Sequence, residues 1–189
     1  INIITAVIIV FKYSKFIEKS KIIKITAIAI LIVMLAFLFT GNMITDKIER
    51  GLYRDDVILS KQTPYQKIVM TKHKDDLRLF LDGNLQFSSS DEYRYHEALV
   101  HIPMMYAKKH DRVLILGGGD GLAARELLKY EDIKEIVLVD IDKDMTDLCA
   151  TDKQIAKLNN DSLKNEKVQV INEDGYMFVN AEYSQHFHA

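Results

Sequence analysis

The chain has 189 residues, 48% of them hydrophobic, with 25 Lys and Arg against 27 Asp and Glu. That length suits one ordinary domain with extra segments, and the single cysteine, Cys149, excludes an internal disulfide. Charge is unevenly spread: residues 1–45 carry five lysines and one glutamate, whereas the rest carries 20 basic against 26 acidic side chains. A net-acidic main part argues against a nucleic-acid partner and suits a cationic small molecule.

Ile1 to Phe11 is apolar and uncharged, and the chain begins without Met. It reads as the tail of an earlier membrane helix in a chain truncated at its N-terminus. Lys12 to Lys21 forms a basic loop of the cytoplasmic type. Ile25 to Ile44 contains no charged residue, and about 20 such residues let a helix cross a bilayer. Residues 1–45 are therefore expected to be a membrane region with a transmembrane helix at 25–44. The expected setting is a multi-pass protein of the cell membrane with the lipid bilayer as partner. Which side the following domain faces stays open.

After a linker at 46–56, residues 57–90 read as a small antiparallel β-unit. Its runs Val57–Ser60, Gln66–Thr71, Leu77–Leu81 and Leu85–Phe87 are punctuated by Asp75-Asp76 and Asp82-Gly83-Asn84. Ser89 with Glu92 has the spacing of a capping box for a helix starting near Asp91 and bent or ended near Pro103. Cys149 reads as a small apolar filler on a later helix.

Residues 91–189 read as the N-terminal part of a nucleoside-binding α/β domain. Val113-Leu-Ile-Leu116 is an apolar run that enters Gly117-Gly-Gly-Asp-Gly121, and a helical pattern from Leu122 to Tyr130 follows. The run suits a strand buried on both faces, and the glycines allow a sharp turn and close approach to a ligand. A helix opening there directs free N–H groups over the loop. Glu135 to Asp142 is a second strand, and Asp140 at its end suits a carboxylate accepting ribose hydroxyls. Gly119 to Ala124 fits the dinucleotide pattern G-x-G-x-x-A. Gly117, Gly119 and Gly121 fit the G-x-G-x-G loop of adenosylmethionine-binding proteins, with Gly117 better placed at the strand end. A helical pattern to Leu158, a polar loop from Asn159 to Lys167 and a third strand, Val168–Ile171, come next. Right-handed crossovers order these strands 3-2-1. The expected fold class is α/β, an adenosylmethionine-binding (Rossmann-like) half-sheet preceded by the β-unit and the transmembrane helix.

Thr63-Pro-Tyr-Gln-Lys-Ile68, Leu81-Asp-Gly-Asn-Leu-Gln-Phe87, Asp91-Glu-Tyr-Arg-Tyr-His-Glu97, Leu116 to Gly121 and Asp174-Gly175 together resemble the motifs of polyamine aminopropyltransferases (spermidine synthases). The resemblance runs from about Leu52 to the C-terminus, and the helix ahead of it is similar to the branch with an N-terminal membrane region. It implies aminopropyl transfer from decarboxylated S-adenosylmethionine to a diamine, typically putrescine, giving spermidine and methylthioadenosine. On the matching positions, Gln66, Gly117, Gly119, Gly121, Asp140, Asp174 and Gly175 would bind the donor nucleoside. Tyr95, His96 and Asp120 would bind the amine. The family usually has Glu where this chain has Asp140. Its proton-accepting aspartate would follow a next strand expected to begin at Phe187-His-Ala189, so the chain is expected to lack that residue and to be incompetent by itself. A homodimer is compatible with the resemblance.

The residue types suit this chemistry. A sulfonium already activates the donor carbon, so alignment of the amine matters most. Carboxylates attract the cationic diamine, and a base must hold the proton of the attacking nitrogen. Methyltransferases commonly carry an acid two residues before the first glycine; here that position is Ile115, and the acid sits in the loop as Asp120. The alternatives are an adenosylmethionine-dependent methyltransferase and a membrane-tethered, non-catalytic nucleoside-binding module. No cofactor beyond the co-substrate is implied, and the histidines show no metal-ligand spacing.

Overall fold

The computed structural model describes residues 5, 8, 9, 12, 13 and 20–187, and within the last span the side chains of 21–37 and 51–181. The chain divides into two units, Ile1–Arg54 and Asp55–Ala189. In the first, Ser20–Arg50 is a helix, α1. The expectation of a transmembrane helix, and with it a multi-pass cell-membrane protein having the bilayer as partner, is corrected here. Among the described residues no helix is long and apolar enough to cross a membrane. Most of the stretch 1–11 lies outside the described residues.

In the second unit the short apolar runs form strands β1 (Asp56–Gln62), β2 (Lys67–His73), β3 (Asp76–Leu81) and β4 (Asn84–Ser88). They make an antiparallel meander in the order β1-β2-β3-β4. Asp82 at φ 50° and Gly83 at φ 80° form the tight connection between β3 and β4, the pair of left-handed residues that a two-residue hairpin needs. Alternation buries Ile68, Met70, Leu77, Leu79 and Phe87 in the core. At the end of the meander the register jumps, Leu79 facing Phe87 and Phe80 facing Leu85, which leaves Gln86 as an unpaired extra residue.

Helix α2 (Glu92–Tyr106) carries Pro103 in its last turn and ends three residues beyond it. The capping box is not formed. No side chain caps α2; the Ser89 hydroxyl accepts from Leu77 N and donates to Asp76. Glu92 instead turns to His96 and Arg125, because a buried guanidinium offers its carboxylate stronger partners than the backbone at the helix start.

The α/β part follows as β5 (Arg112–Leu116), α3 (Leu122–Leu127), β6 (Glu135–Val139), α4 (Lys143–Thr151), α5 (Lys153–Leu158), β7 (Val168–Ile171) and α6 (Gly175–Phe187). The parallel sheet has the order β5-β6-β7, as right-handed crossovers require. Ile136 and Leu138 on the central strand are fully buried. The helical pattern after Asp142 is two helices, because Asp152 ends the first and caps the second through Gln154 N and Ile155 N. Asn159 to Lys167 is not a plain loop: it holds a 3₁₀ turn, Ser162–Lys164, with Asn159 and Ser162 fully buried. Phe187 closes α6 and starts no strand; residues 188 and 189 lie outside the described residues.

Candidate functional site

The C-terminal ends of β5, β6 and β7 converge on the glycine loop, where open parallel sheets hold their ligands. The loop is shaped by contacts from below. Gly121 has φ 78°, and a Cβ there would stand 2.7 Å from Ser162 Oγ and 2.9 Å from Asn159 Nδ2. Those side chains hold the loop, Ser162 donating to Gly121 O at 2.7 Å and Asn159 to Asp120 O at 2.9 Å.

A cavity of about 420 Å³ opens above the loop, lined among others by Gln66, Gln86, Gly119, Asp120 and Asp140. Asp120 is 2% exposed. One carboxylate oxygen accepts from Leu122 N at 2.9 Å, the other from Gln86 Nε2 at 3.3 Å. It therefore turns the chain into α3 and also presents charge to the cavity. Gln86 is brought there by its unpaired position in β4; bulges commonly re-aim a side chain beside a site.

A second cavity, about 370 Å³, is lined by Gly117, Asp140, Asp174, Gly175 and neighbours. Asp140 lines both cavities. Its two carboxylate oxygens accept from Gly119 N at 2.8 Å and from Asp142 N at 2.9 Å, and each keeps a lone pair for a ligand. Asp174 caps α6, accepting from Tyr176 N and Met177 N, and is otherwise exposed.

The residues expected at the site thus divide. Gln66, Gly119 and Asp120 meet around the first cavity, Gly117, Asp174 and Gly175 around the second, and Asp140 joins them. Gly121 lines neither and serves the packing of the loop. Tyr95 and His96, on α2, line neither cavity. Tyr95 is 62% exposed and His96 3%. The His96 Nδ1 lies 2.9 Å from Glu92 O and 2.8 Å from the Glu92 carboxylate. Both partners are acceptors, so Nδ1 carries the proton and Nε2 is left for another partner.

Sequence reasoning missed Gln86 and Asp142 as site residues. Gln86 lies inside the Leu81–Phe87 motif and Asp142 closes the second strand run, but no periodicity marks a bulge or a contact across the fold. Asp142 is 1% exposed. It accepts from Thr63 Oγ1 at 2.7 Å and from Gln66 Nε2 at 2.9 Å. Gln66 itself sits in the turn before β2 rather than in the strand.

Cys149 is fully buried; burial first, then the carboxylates of Asp120, Asp140 and Asp152, push its thiol well above its usual range. That suits packing and not nucleophilic chemistry. Among the described residues no group of three or more His, Cys, Asp or Glu is placed to hold a metal ion.

A parallel sheet with a glycine loop after its first strand and an acid after its second defines a Rossmann-like α/β protein. The spermine/spermidine synthase domain model matches residues 92–188. The chain belongs to that family. It is 48% identical over 164 residues to the polyamine aminopropyltransferase of Leptospira interrogans, covering 86% of this chain and 33% of the relative. Against the enzyme of that name from Oceanobacillus iheyensis it is 41% identical over 179 residues, 95% of this chain and 35% of the relative. The chain thus spans about a third of the length of these curated relatives. The crystal structure of spermidine synthase from Thermotoga maritima is similar with a TM-score of 0.61 at 29% identity, over 66% of this chain and 42% of that one. A spermidine synthase in complex with the transition state analogue AdoDATO gives a TM-score of 0.62 at 28% identity, over 66% of this chain and 43% of that one.

Proposed function

We propose that this chain carries the donor site and part of the amine site of a polyamine aminopropyltransferase. The reaction is transfer of an aminopropyl group from decarboxylated S-adenosylmethionine to putrescine, giving spermidine and methylthioadenosine. The observation that supports it most is the pair of cavities joined at Asp140, with Asp120 at one end and Asp174-Gly175 at the other. An adenine at the Asp174 end and ribose hydroxyls on Asp140 direct the sulfonium and its propyl arm toward Asp120.

The amine nitrogen attacks the propyl carbon bound to sulfur. The C–N bond forms as the C–S bond breaks, the neutral thioether leaves, and the nitrogen gives up a proton. Asp120 holds an ammonium group by charge inside a buried site, where the attraction is stronger than in water, and Gln86 steadies its carboxylate. The carry-over of Tyr95 and His96 to the amine side belongs to this proposal, with His96 Nε2 as the ring atom not engaged by Glu92. Domain roles follow the same reading: 57–90 supplies Gln66 and Gln86, and 91–189 the glycine loop and the acids.

The test is spermidine formation, followed by mass spectrometry, in a chimera in which this chain replaces the matching third of the Leptospira interrogans relative. Asp120→Asn keeps size and turn geometry and removes the charge. It is expected to slow transfer by at least about tenfold, the loss of a charge-assisted contact, whereas Asp147→Asn on the exposed face of α4 is neutral. Equal rates for the two variants remove Asp120 from the amine site.

A further inference from the structure

We propose that Asp142 is a positioning residue for the donor site, which sets the orientation of the Gln66 side chain. The inference rests on the donor-site role of Gln66 proposed above and adds the group that aims it. Asp142 is the first residue after the Asp140-Ile141 pair, and its carboxylate is shared between two tasks. One oxygen caps α4 by accepting from Asp144 N at 3.1 Å and Met145 N at 3.4 Å. The other faces the β-unit, accepting from the Thr63 hydroxyl at 2.7 Å and Gln66 Nε2 at 2.9 Å.

Thr63 is 5% exposed and secures the same turn from the inside. Its hydroxyl oxygen accepts from Tyr65 N at 3.1 Å and Gln66 N at 3.0 Å. With its own proton on Asp142, this hydroxyl ties the backbone of Thr63–Gln66 to the α/β sheet. The second bond, from Gln66 Nε2, then decides which way the amide faces. A carboxylate accepts only, so the NH₂ end must turn to Asp142, and the carbonyl oxygen is the end left for a ligand. Asp142 N also holds the Asp140 carboxylate. One buried residue therefore fixes an acceptor from the β-unit and the acid of the second strand in a single frame.

Asp142→Asn separates the roles. Asn caps a helix about as well as Asp, so α4 keeps its start. The asparagine NH₂ then faces Thr63 and Gln66, and the Gln66 amide must flip to accept from it, turning its own NH₂ outward. Calorimetry with 5′-methylthioadenosine on the full chain is expected to show at least about tenfold weaker binding, the loss of one well-placed hydrogen bond to the ligand. In a Gln66→Ala background the same substitution is expected to change affinity by less than about twofold, within ordinary additivity. An equal loss in both backgrounds, or none in either, overturns the inference while leaving the donor-site reading in place when Gln66→Ala alone weakens binding. Unchanged affinity in Gln66→Ala alone overturns both. A measurement on the unmodified protein needs no variant to fold: one Gln66 side-chain N–H is expected downfield and slow to exchange in the NMR spectrum. Two ordinary, fast-exchanging amide protons there overturn the inference as well.

Discussion

Asp140 lines both cavities, and the place of its carboxylate depends on a glycine across from it. A Cβ at Gly119 would lie 2.7 Å from Asp140 Oδ2 and 3.1 Å from Thr146 Cγ2. Neither neighbour is free to yield: the Asp140 oxygens hold two backbone N–H groups, and Thr146 is buried on α4. Gly119→Ala is therefore expected to displace Asp140 and lower methylthioadenosine affinity by about 1.5–3 kcal/mol, the range for hydrogen bonds to a charged group. Calorimetry reads this directly, and wild-type affinity in the variant contradicts the close packing described. The Asp140 position was legible from the sequence, because an acid at the end of an apolar run has few other reasons to be there. The need for glycine at 119 in particular was not, since it arises from a contact 21 residues away.

At the scale of elements, one side chain links three helices. Arg125 on α3 is bidentate to Glu92 of α2 at 2.7 and 3.0 Å, reaches Glu126 at 2.9 Å, and donates to Leu158 O at the end of α5 at 2.9 Å. Burial opposes its charge, yet the bonds to Glu92 and then Glu126 outweigh this and raise its pKa. Glu126 also pairs with Lys129 and His101. Arg125→Met keeps the length of the stem but leaves two buried carboxylates without their shared cation. It is expected to destabilise the chain by about 3–5 kcal/mol, the cost of breaking a buried ion pair by removing one partner, measurable as a lower urea midpoint. A change below about 1 kcal/mol is what a surface pair gives and contradicts this role. In the sequence Glu92 looked like half of a capping box. Spacing along one helix cannot register a guanidinium 33 residues away, and that guanidinium decides where Glu92 points.

For the whole molecule, the carboxylates make stability dependent on pH. Burial by itself raises the pKa of Glu126, but hydrogen bonds from Lys129 and Arg125 outweigh it and hold the group below the ordinary glutamate value. Asp76 behaves alike: burial raises it, and bonds from Ser88 and Arg78 bring it down further. For a group held low in the folded state, the unfolded chain takes up protons first as pH falls. Its stabilisation is complete above the unfolded value, about pH 4–5, and is lost as the pH falls through the folded value. Urea midpoints are expected to hold near neutral pH and to drop through the carboxylate range, with a shallower drop in Glu126→Gln. A midpoint that does not move on acidification contradicts the direction of both shifts.

Local order carried the sequence a long way. Period-two runs, the Asp-Gly turn, the glycine loop and the acid after the next strand are all short-range signals, and they located the seven strands and the strand order. Those signals also singled out Asp120 and Asp140, because carboxylates at a glycine loop and at the end of an apolar run have few packing reasons to be there, whereas Gln66 and Asp174 were named only through the motifs of the resembled family. The long apolar run near the N-terminus misled: composition reports hydrophobicity, and among the described residues no helix is long and apolar enough to cross a membrane. What tertiary structure alone decided lies in contacts between distant residues. The extra residue in β4 turns Gln86 to Asp120, Asn159 and Ser162 support the glycine loop, and Asp142 reaches back to Thr63 and Gln66. Such pairings follow from which surfaces pack together once the sheets have formed, and the pattern of either partner alone does not contain them.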